Sequence, residues 1–167
     1  MLSPKPVSAF IGVGSNLNDP PAQVRSAITA MGRVCDWNVE SQSSLYVSPP
    51  MGPPDQPNYV NAVVQLSTEL SCLALLSRLQ DIETAHGRVH SDIHWGPRVL
   101  DLDILIFGEF EFHTGKLTVP HPGILQRPFV VVPLAEIAPD LILPNGIAAA
   151  DMVRNLTCDE LQRIDNE

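Results

Sequence analysis

The sequence predicts an α+β fold in which helices pack on an antiparallel sheet. Strand-like and helix-like patterns alternate along the whole chain, without a repeat or a low-complexity tract. The 44% hydrophobic and 17% charged residues are typical of a folded globular protein. A chain of 167 residues suits one ordinary domain and is too short for two, so we expect a single domain over residues 1–167.

The first elements are a strand, a helix and a second strand. Residues 9–13 form an apolar strand that ends in a Gly-Ser-Asn turn at 14–16. Asp19 is a suitable helix N-cap, and Pro20 follows at the first helical position. The next strand is expected over residues 39–47.

A proline-rich loop leads into the second half of the core. Five prolines lie within residues 49–57, and residues 59–68 then alternate apolar and polar side chains as a strand does. Ser71 is placed to cap a second helix, which Gly87 ends. An apolar strand over residues 98–107 completes the core.

The remaining segments are additions to that core. We expect a hairpin near residues 109–119, a short helix from Pro128 and a final helix over 148–155. The element order is therefore β-α-β-β-α-β with C-terminal additions. This is the ferredoxin-like order, whose antiparallel sheet carries two helices on one face.

Charge and composition exclude several classes of protein. A net charge of −9 argues against nucleic acid as the main partner, which needs a broad basic surface. No apolar run approaches the roughly 20 residues that span a membrane, and we see no signal peptide. Three widely spaced cysteines without a CxxC pair favour a reducing, cytoplasmic setting. The acidic composition favours a monomer.

The most informative segment is a carboxylate pair in an apolar strand. Asp101 and Asp103 are two residues apart, so both project from one face, while Leu100 and Leu102 project from the other. Two carboxylates this close repel each other unless a cation lies between them, and Mg²⁺ suits carboxylates and phosphates. Spacing alone leaves open an edge strand with two solvated aspartates.

Basic residues near this pair favour the metal hypothesis. Arg98 precedes Asp101 by three residues, and Arg88 lies just upstream. A guanidinium group can donate two parallel hydrogen bonds to two oxygens of one phosphate. Phosphoryl-type transfer mainly requires charge neutralisation and alignment, which such a set of residues provides.

At these residues the chain closely resembles the 6-hydroxymethyl-7,8-dihydropterin pyrophosphokinase family. The signature is a basic residue, Gly-Pro-Arg and Asp-x-Asp on an apolar strand, which residues 94–105 meet. The similarity extends in collinear order over roughly residues 8 to 145. The other matching segments are FIGVGSNL (10–17), SPPMGPPDQPNYVN (48–61), ETAHGRV (83–89), LTVPH (117–121) and PLAEIAP (133–139).

The resemblance implies transfer of diphosphate from ATP to the hydroxymethyl group of the pterin, releasing AMP, in folate biosynthesis. It implies two Mg²⁺ ions bound by Asp101 and Asp103, with Arg88 and Arg98 also catalytic. A loop carrying Arg88, Trp95 and Arg98 would close over the nucleotide. The positions implied to contact ATP are Gln80, Glu83, Arg88, Trp95, Arg98, Lys116, Thr118, His121 and Arg127. Those implied for the pterin are Ser48, Pro49, Met51, Tyr59, Asn61 and Phe129.

The residue types suit a pterin, which is flat, aromatic and rich in hydrogen-bond donors and acceptors. Tyr59 and Phe129 offer rings for stacking, although without the resemblance ordinary core packing is the favoured explanation for both rings. The amide of Asn61 can donate and accept at once. A loop stiffened by prolines loses little entropy when it grips a ligand.

Some residues depart from the family pattern or permit other interpretations. His90 stands where many relatives have a second loop arginine, and Pro122 where an aromatic often follows His121. His86, His90 and His94 have the spacing of zinc ligands on one helix, but Gly87 interrupts that helix. A pterin- or nucleotide-binding module without activity, and a kinase that transfers only the γ-phosphate, are the rival functions.

Overall fold

A computed structural model describes residues 5–87 and 97–164. Within those ranges the chain forms strands β1–β8 and helices α1–α4, in the order of a β-α-β-β-α-β core with C-terminal additions. The elements are β1 (Val7–Ser15), α1 (Pro20–Gly32), β2 (Trp37–Gln42), β3 (Leu45–Ser48), β4 (Tyr59–Thr68), α2 (Cys72–Ala85), β5 (Asp101–Phe107), β6 (Phe112–His113), β7 (Thr118–Val119), α3 (Pro128–Ile137), α4 (Ala149–Arg154) and β8 (Gln162–Ile164).

The main sheet confirms the predicted ferredoxin-like arrangement. Its strands lie in the order β5-β1-β4-β3-β8, β2 also pairs with β4, and all these pairings are antiparallel. The predicted hairpin is present as a separate two-stranded sheet, β6-β7. The helix caps at Asp19 and Ser71 accept backbone hydrogen bonds, and Gly87 adopts the left-handed φ of 86° that ends α2.

The predicted strand over 39–47 is two strands, β2 and β3, which pair with different parts of β4. The interruption lies at two buried serines. The Ser43 N–H donates to the Val63 carbonyl, and the Ser43 hydroxyl accepts the Val63 N–H, both at 2.9 Å. Ser44 instead turns its N–H and hydroxyl towards Glu136 on α3. Side-chain hydrogen bonds thus replace part of the ladder where the strand breaks.

The two faces of the sheet bury separate cores. Ile11 and Val13 of β1 pack with apolar residues of α1 and α2, whereas Phe10, on the opposite face, packs with α3 and α4. The C-terminal additions therefore form a second helical layer. Among the residues described, no helix is long and apolar enough to cross a membrane, and all three cysteines are free thiols.

A cluster around Glu136 fixes α3 to the sheet. Its carboxylate accepts hydrogen bonds from the Ser44 N–H (3.0 Å), the Ser44 hydroxyl (2.6 Å) and the Tyr46 hydroxyl (2.9 Å). Partial burial alone would raise the pKa of Glu136, but these hydrogen bonds outweigh burial and lower it. Burial and the adjacent carboxylate raise the pKa of Tyr46 to about 12.

We expect Glu136→Gln to lower the free energy of unfolding by about 1 kcal/mol at pH 7, because an amide oxygen accepts these bonds less strongly and solvent screens the site. Since folding lowers the pKa of Glu136, its carboxylate stabilises the fold above the unfolded pKa. That contribution is lost as the pH falls through the folded-state value. Urea unfolding at pH 7 and at one pH well below 4.5, the ordinary pKa of a glutamate side chain, measures the effect, with the exposed carboxylate variant Asp140→Asn as control. An equal deficit at both pH values would contradict it.

Candidate active site

A cavity of about 330 Å³ opens on the α3 side of the sheet, where glycines form its floor. Gly14 of β1 lies between Asn61 of β4 and Asp101 of β5, and Gly12 lies between Val63 and Asp103. A Cβ atom at Gly14 would lie 3.0 Å from the Asn61 Oδ1, and one at Gly12 would lie 3.3 Å from Leu105 Cδ2. The missing side chains therefore let Asn61 and Leu105 lie close against β1, and the bare backbone of both glycines lines the cavity.

Asp101 and Asp103 line this cavity from the edge strand β5, as their spacing predicts. Both are half-buried, and the alternate residues Leu102 and Ile104 are 3% and 2% exposed in the opposite core. The pair is thus directed into a concave site and is not solvated on an open edge.

Arg98 contributes a cation to the same cavity. It lies before β5, which begins at Asp101 and not at residue 98 as expected. Its Nη1 is buried, and in the described part of the structure it has no hydrogen-bond partner. A buried charged donor left unpaired is costly, so the site is suited to an anion that would pair with it.

His121 and Arg127 form part of the rim of this cavity. The Nδ1 of His121 accepts the Gly123 N–H at 3.0 Å, so the neutral ring carries its proton on Nε2 and can donate from there. Burial, followed by the charge of Arg127, lowers the pKa of His121, although Asp101 opposes the shift. The Cζ of Arg127 lies 5.8 Å from the centroid of the Phe129 ring.

The residues predicted for the pterin line the same cavity. Asn61 and Ser48 are 7% and 5% exposed, and the Asn61 Nδ2 donates to the Ser48 hydroxyl at 2.8 Å. The serine thereby fixes the amide orientation. The other predicted residues, all of which line the cavity, are Pro49, Met51, Tyr59 and Phe129.

A second cavity, of about 390 Å³, adjoins the first at the carboxylate pair. Asp101, Asp103 and His121 line both cavities. The other residues predicted to contact ATP that line the second cavity are Gln80, Glu83, Lys116 and Thr118. Arg88 and Trp95 lie outside the described residues, as do His90 and His94 of the zinc alternative. Within the described ranges no group of three or more His, Cys, Asp or Glu residues could hold a metal.

Glu83 is buried beneath the carboxylate strand. It is 4% exposed, and its Oε2 accepts the N–H of Leu102, the residue between Asp101 and Asp103, at 3.0 Å. Among the described strands β5 pairs with β1 alone, so this carboxylate supplies a backbone acceptor on the edge that those strands leave open.

Asn16 was not among the predicted site residues, yet it joins three segments around the cavity. Its Nδ2 donates to the Gln56 side chain (2.9 Å) and the Pro57 carbonyl (3.1 Å), both in the proline-rich loop. Its Oδ1 accepts the Arg98 N–H (2.8 Å). Gly12 and Gly14 were also missed as site residues. Two glycines on one face of a strand are the sequence signal that could have identified the cavity floor.

Comparison with known proteins shows the family of this chain. The model of the family described as 7,8-dihydro-6-hydroxymethylpterin-pyrophosphokinase (HPPK) matches residues 10–139. The chain is similar to 2-amino-4-hydroxy-6-hydroxymethyldihydropteridine pyrophosphokinase of Haemophilus influenzae, with 47% identity over 89% of this chain and 92% of that protein. It is 43% identical to the protein of the same name from Pseudomonas aeruginosa, over 93% of this chain and 95% of that one.

Among solved structures, the fold is similar to that of Plasmodium falciparum HPPK-DHPS, with a TM-score of 0.72 at 12% identity. That likeness covers 90% of this chain and 42% of the longer protein, and at such low identity it concerns the fold alone. The family model covers well over half of the chain, and the two bacterial relatives align over nearly its whole length. The chain therefore belongs to the 7,8-dihydro-6-hydroxymethylpterin-pyrophosphokinase family.

Proposed function

We propose that this chain transfers the diphosphate group of ATP to the hydroxymethyl group of 6-hydroxymethyl-7,8-dihydropterin, releasing AMP, as a step in folate biosynthesis. The observation that carries the proposal is the junction of two cavities at Asp101, Asp103 and His121. A flat aromatic substrate and a nucleotide each need their own cavity, and the reacting atoms must meet between them. The whole chain would act as one domain, as a cytoplasmic monomer.

The proposed pterin site is the end of the first cavity around Asn61. The fixed amide would accept from and donate to the edge of the pterin ring, and Tyr59 and Phe129 would lie against its faces. Met51, which is 48% exposed, would cover the ring from the mouth of the cavity. The ring would lie over Gly12 and Gly14, which line this cavity without side chains that would narrow it.

The proposed ATP site is the second cavity together with the cationic rim of the first cavity, which Arg98 and Arg127 form. Arg98, Lys116, Thr118, His121 and Arg127 would contact the phosphates, and Gln80 and Glu83 would contact the rest of the nucleotide. The buried, unpaired Nη1 of Arg98 would be satisfied by a phosphate oxygen. Arg88 and Trp95 keep their proposed roles beside the nucleotide.

The donor set fits Mg²⁺. Two half-buried carboxylates beside a phosphate site match its preference for one or two carboxylates, several waters and substrate phosphates. Asp101 and Asp103 would hold two such ions, which when bound supply charge neutralisation to the phosphates. The chain itself would place the pterin hydroxyl in line with the β-phosphorus and hold the leaving AMP by its cationic rim.

Analysis of the nucleotide products tests this proposal. The protein is incubated with ATP, Mg²⁺ and 6-hydroxymethyl-7,8-dihydropterin, and nucleotides are separated with and without the pterin. Pterin-dependent AMP is the expected result. ADP would indicate transfer of the γ-phosphate alone, and bound pterin without turnover would indicate an inactive binding module.

A further inference from the structure

Gly123 lies directly beneath the guanidinium group of Arg127. A Cβ atom built at Gly123 would lie 2.5 Å from Nε and 2.8 Å from Cζ of Arg127, far inside the ordinary contact range of 3.4–4 Å. No other residue type lacks a Cβ, so only glycine leaves the arginine in this position.

The same glycine also orients His121. Its N–H donates to the Nδ1 of His121 at 3.0 Å, which leaves Nε2 as the donor of the neutral ring. The turn is fixed further by the His121 N–H, which donates to the Leu105 carbonyl at 2.9 Å, and by the Ile124 N–H, which donates to the His121 carbonyl at 3.1 Å. One residue therefore sets the position of two donors on the rim of the cavity.

We propose that Gly123 is a positioning residue for ATP, which acts by seating the guanidinium of Arg127 on its bare backbone beside the oriented His121. This inference rests on the proposed function, in which Arg127 and His121 contact the nucleotide. Gly123 itself does not line either cavity. Its effect on the phosphates is therefore indirect.

A substitution at Gly123 should displace the Arg127 guanidinium without destabilising the fold. The described glycines with positive φ are Gly87, Gly108 and Gly146, so Gly123 has a backbone conformation that alanine can adopt. The atoms in conflict belong to the flexible end of the arginine side chain, which can swing aside at small cost to the fold. The displaced guanidinium would then miss its anion.

The test uses Gly123→Ala with Gly32→Ala as the matched control, since a Cβ at Gly32 has no neighbour within 4 Å. Dissociation constants for a non-hydrolysable ATP analogue and for the pterin are measured by calorimetry, and melting temperatures are compared. We expect Gly123→Ala to weaken analogue binding about 10-fold, the scale of one charge-assisted contact. Pterin binding and the melting temperature should match those of Gly32→Ala. Weakening of both ligands equally would overturn the inference.

Arg127→Ala and the double variant show whether the effect passes through the arginine. If it does, adding Gly123→Ala to Arg127→Ala causes no further loss of analogue affinity, and any destabilisation of Gly123→Ala disappears in the double variant. If the fold-losses in analogue affinity of the two single variants multiply in the double variant, the inference is overturned. If Arg127→Ala weakens analogue binding but Gly123→Ala binds normally, the inference about Gly123 is overturned, whereas the proposed role of Arg127 stands. An Arg127→Ala variant that binds the analogue normally would contradict the proposed role of Arg127 and, with it, this inference.

Discussion

Asp101→Asn and Asp103→Asn are each expected to reduce pterin-dependent AMP formation by at least about 10²-fold, the scale for loss of one preorganised charge-stabilising group. Each change keeps the shape of the side chain and removes one negative charge from the junction of the two cavities. The core beneath the strand is formed by Leu102 and Ile104, which the changes leave intact. The melting temperature should therefore remain close to that of the unaltered protein.

Initial rates measured over a range of Mg²⁺ concentrations check this prediction. Loss of one carboxylate should raise the Mg²⁺ concentration that gives the half-maximal rate, as well as lowering the maximal rate. Asp140→Asn, which changes an exposed carboxylate away from both cavities, is the control for net charge. Normal rates in either active-site variant at saturating Mg²⁺ would argue that the pair does not hold the metal.

The core of the fold could be predicted because its signals are local. Alternation along residues 59–68 and the Asp-Pro and Ser helix starts depend on neighbours within a few positions, and β4, α1 and α2 follow them closely. The direction of Asp101 and Asp103 follows from strand geometry in the same way. The strand break at Ser43 was missed, because it depends on Glu136, which lies 92 residues beyond Ser44.

The site was predicted in part for the same reason. Residues with recognisable chemistry, such as Asn61 and His121, were identified, and the structure brings them to one cavity. Asn16 was not identified, because its hydrogen-bond partners lie 40 to 82 residues away and no local sequence pattern indicates them. Gly123 was missed because it contributes the absence of a side chain. That absence matters only because the Arg127 side chain lies where a Cβ atom would be, which the local sequence does not show.

Asn61→Ala is expected to raise the KM for the pterin by about 10- to 100-fold, with a much smaller change in the KM for ATP. The amide is 7% exposed and is held by Ser48, so the pterin groups that pair with it would be left unsatisfied after its removal. A buried polar group without its partner costs about 1 to 3 kcal/mol, which corresponds to that range.

Gln65→Ala is the matched control, because it removes another amide from the same face of β4. Gln65 bonds to Ser41 and to Ser8, both at 3.0 Å, and lines neither cavity. Its loss should affect stability modestly and leave both KM values unchanged. Since Asn61 lies opposite Gly14 on β1 and two residues beyond Tyr59 on β4, a pterin-specific defect would locate that substrate over the glycine floor. Equal rises in both KM values would instead mean that Asn61 supports the junction as a whole, and the division of the site into two substrate cavities would be wrong.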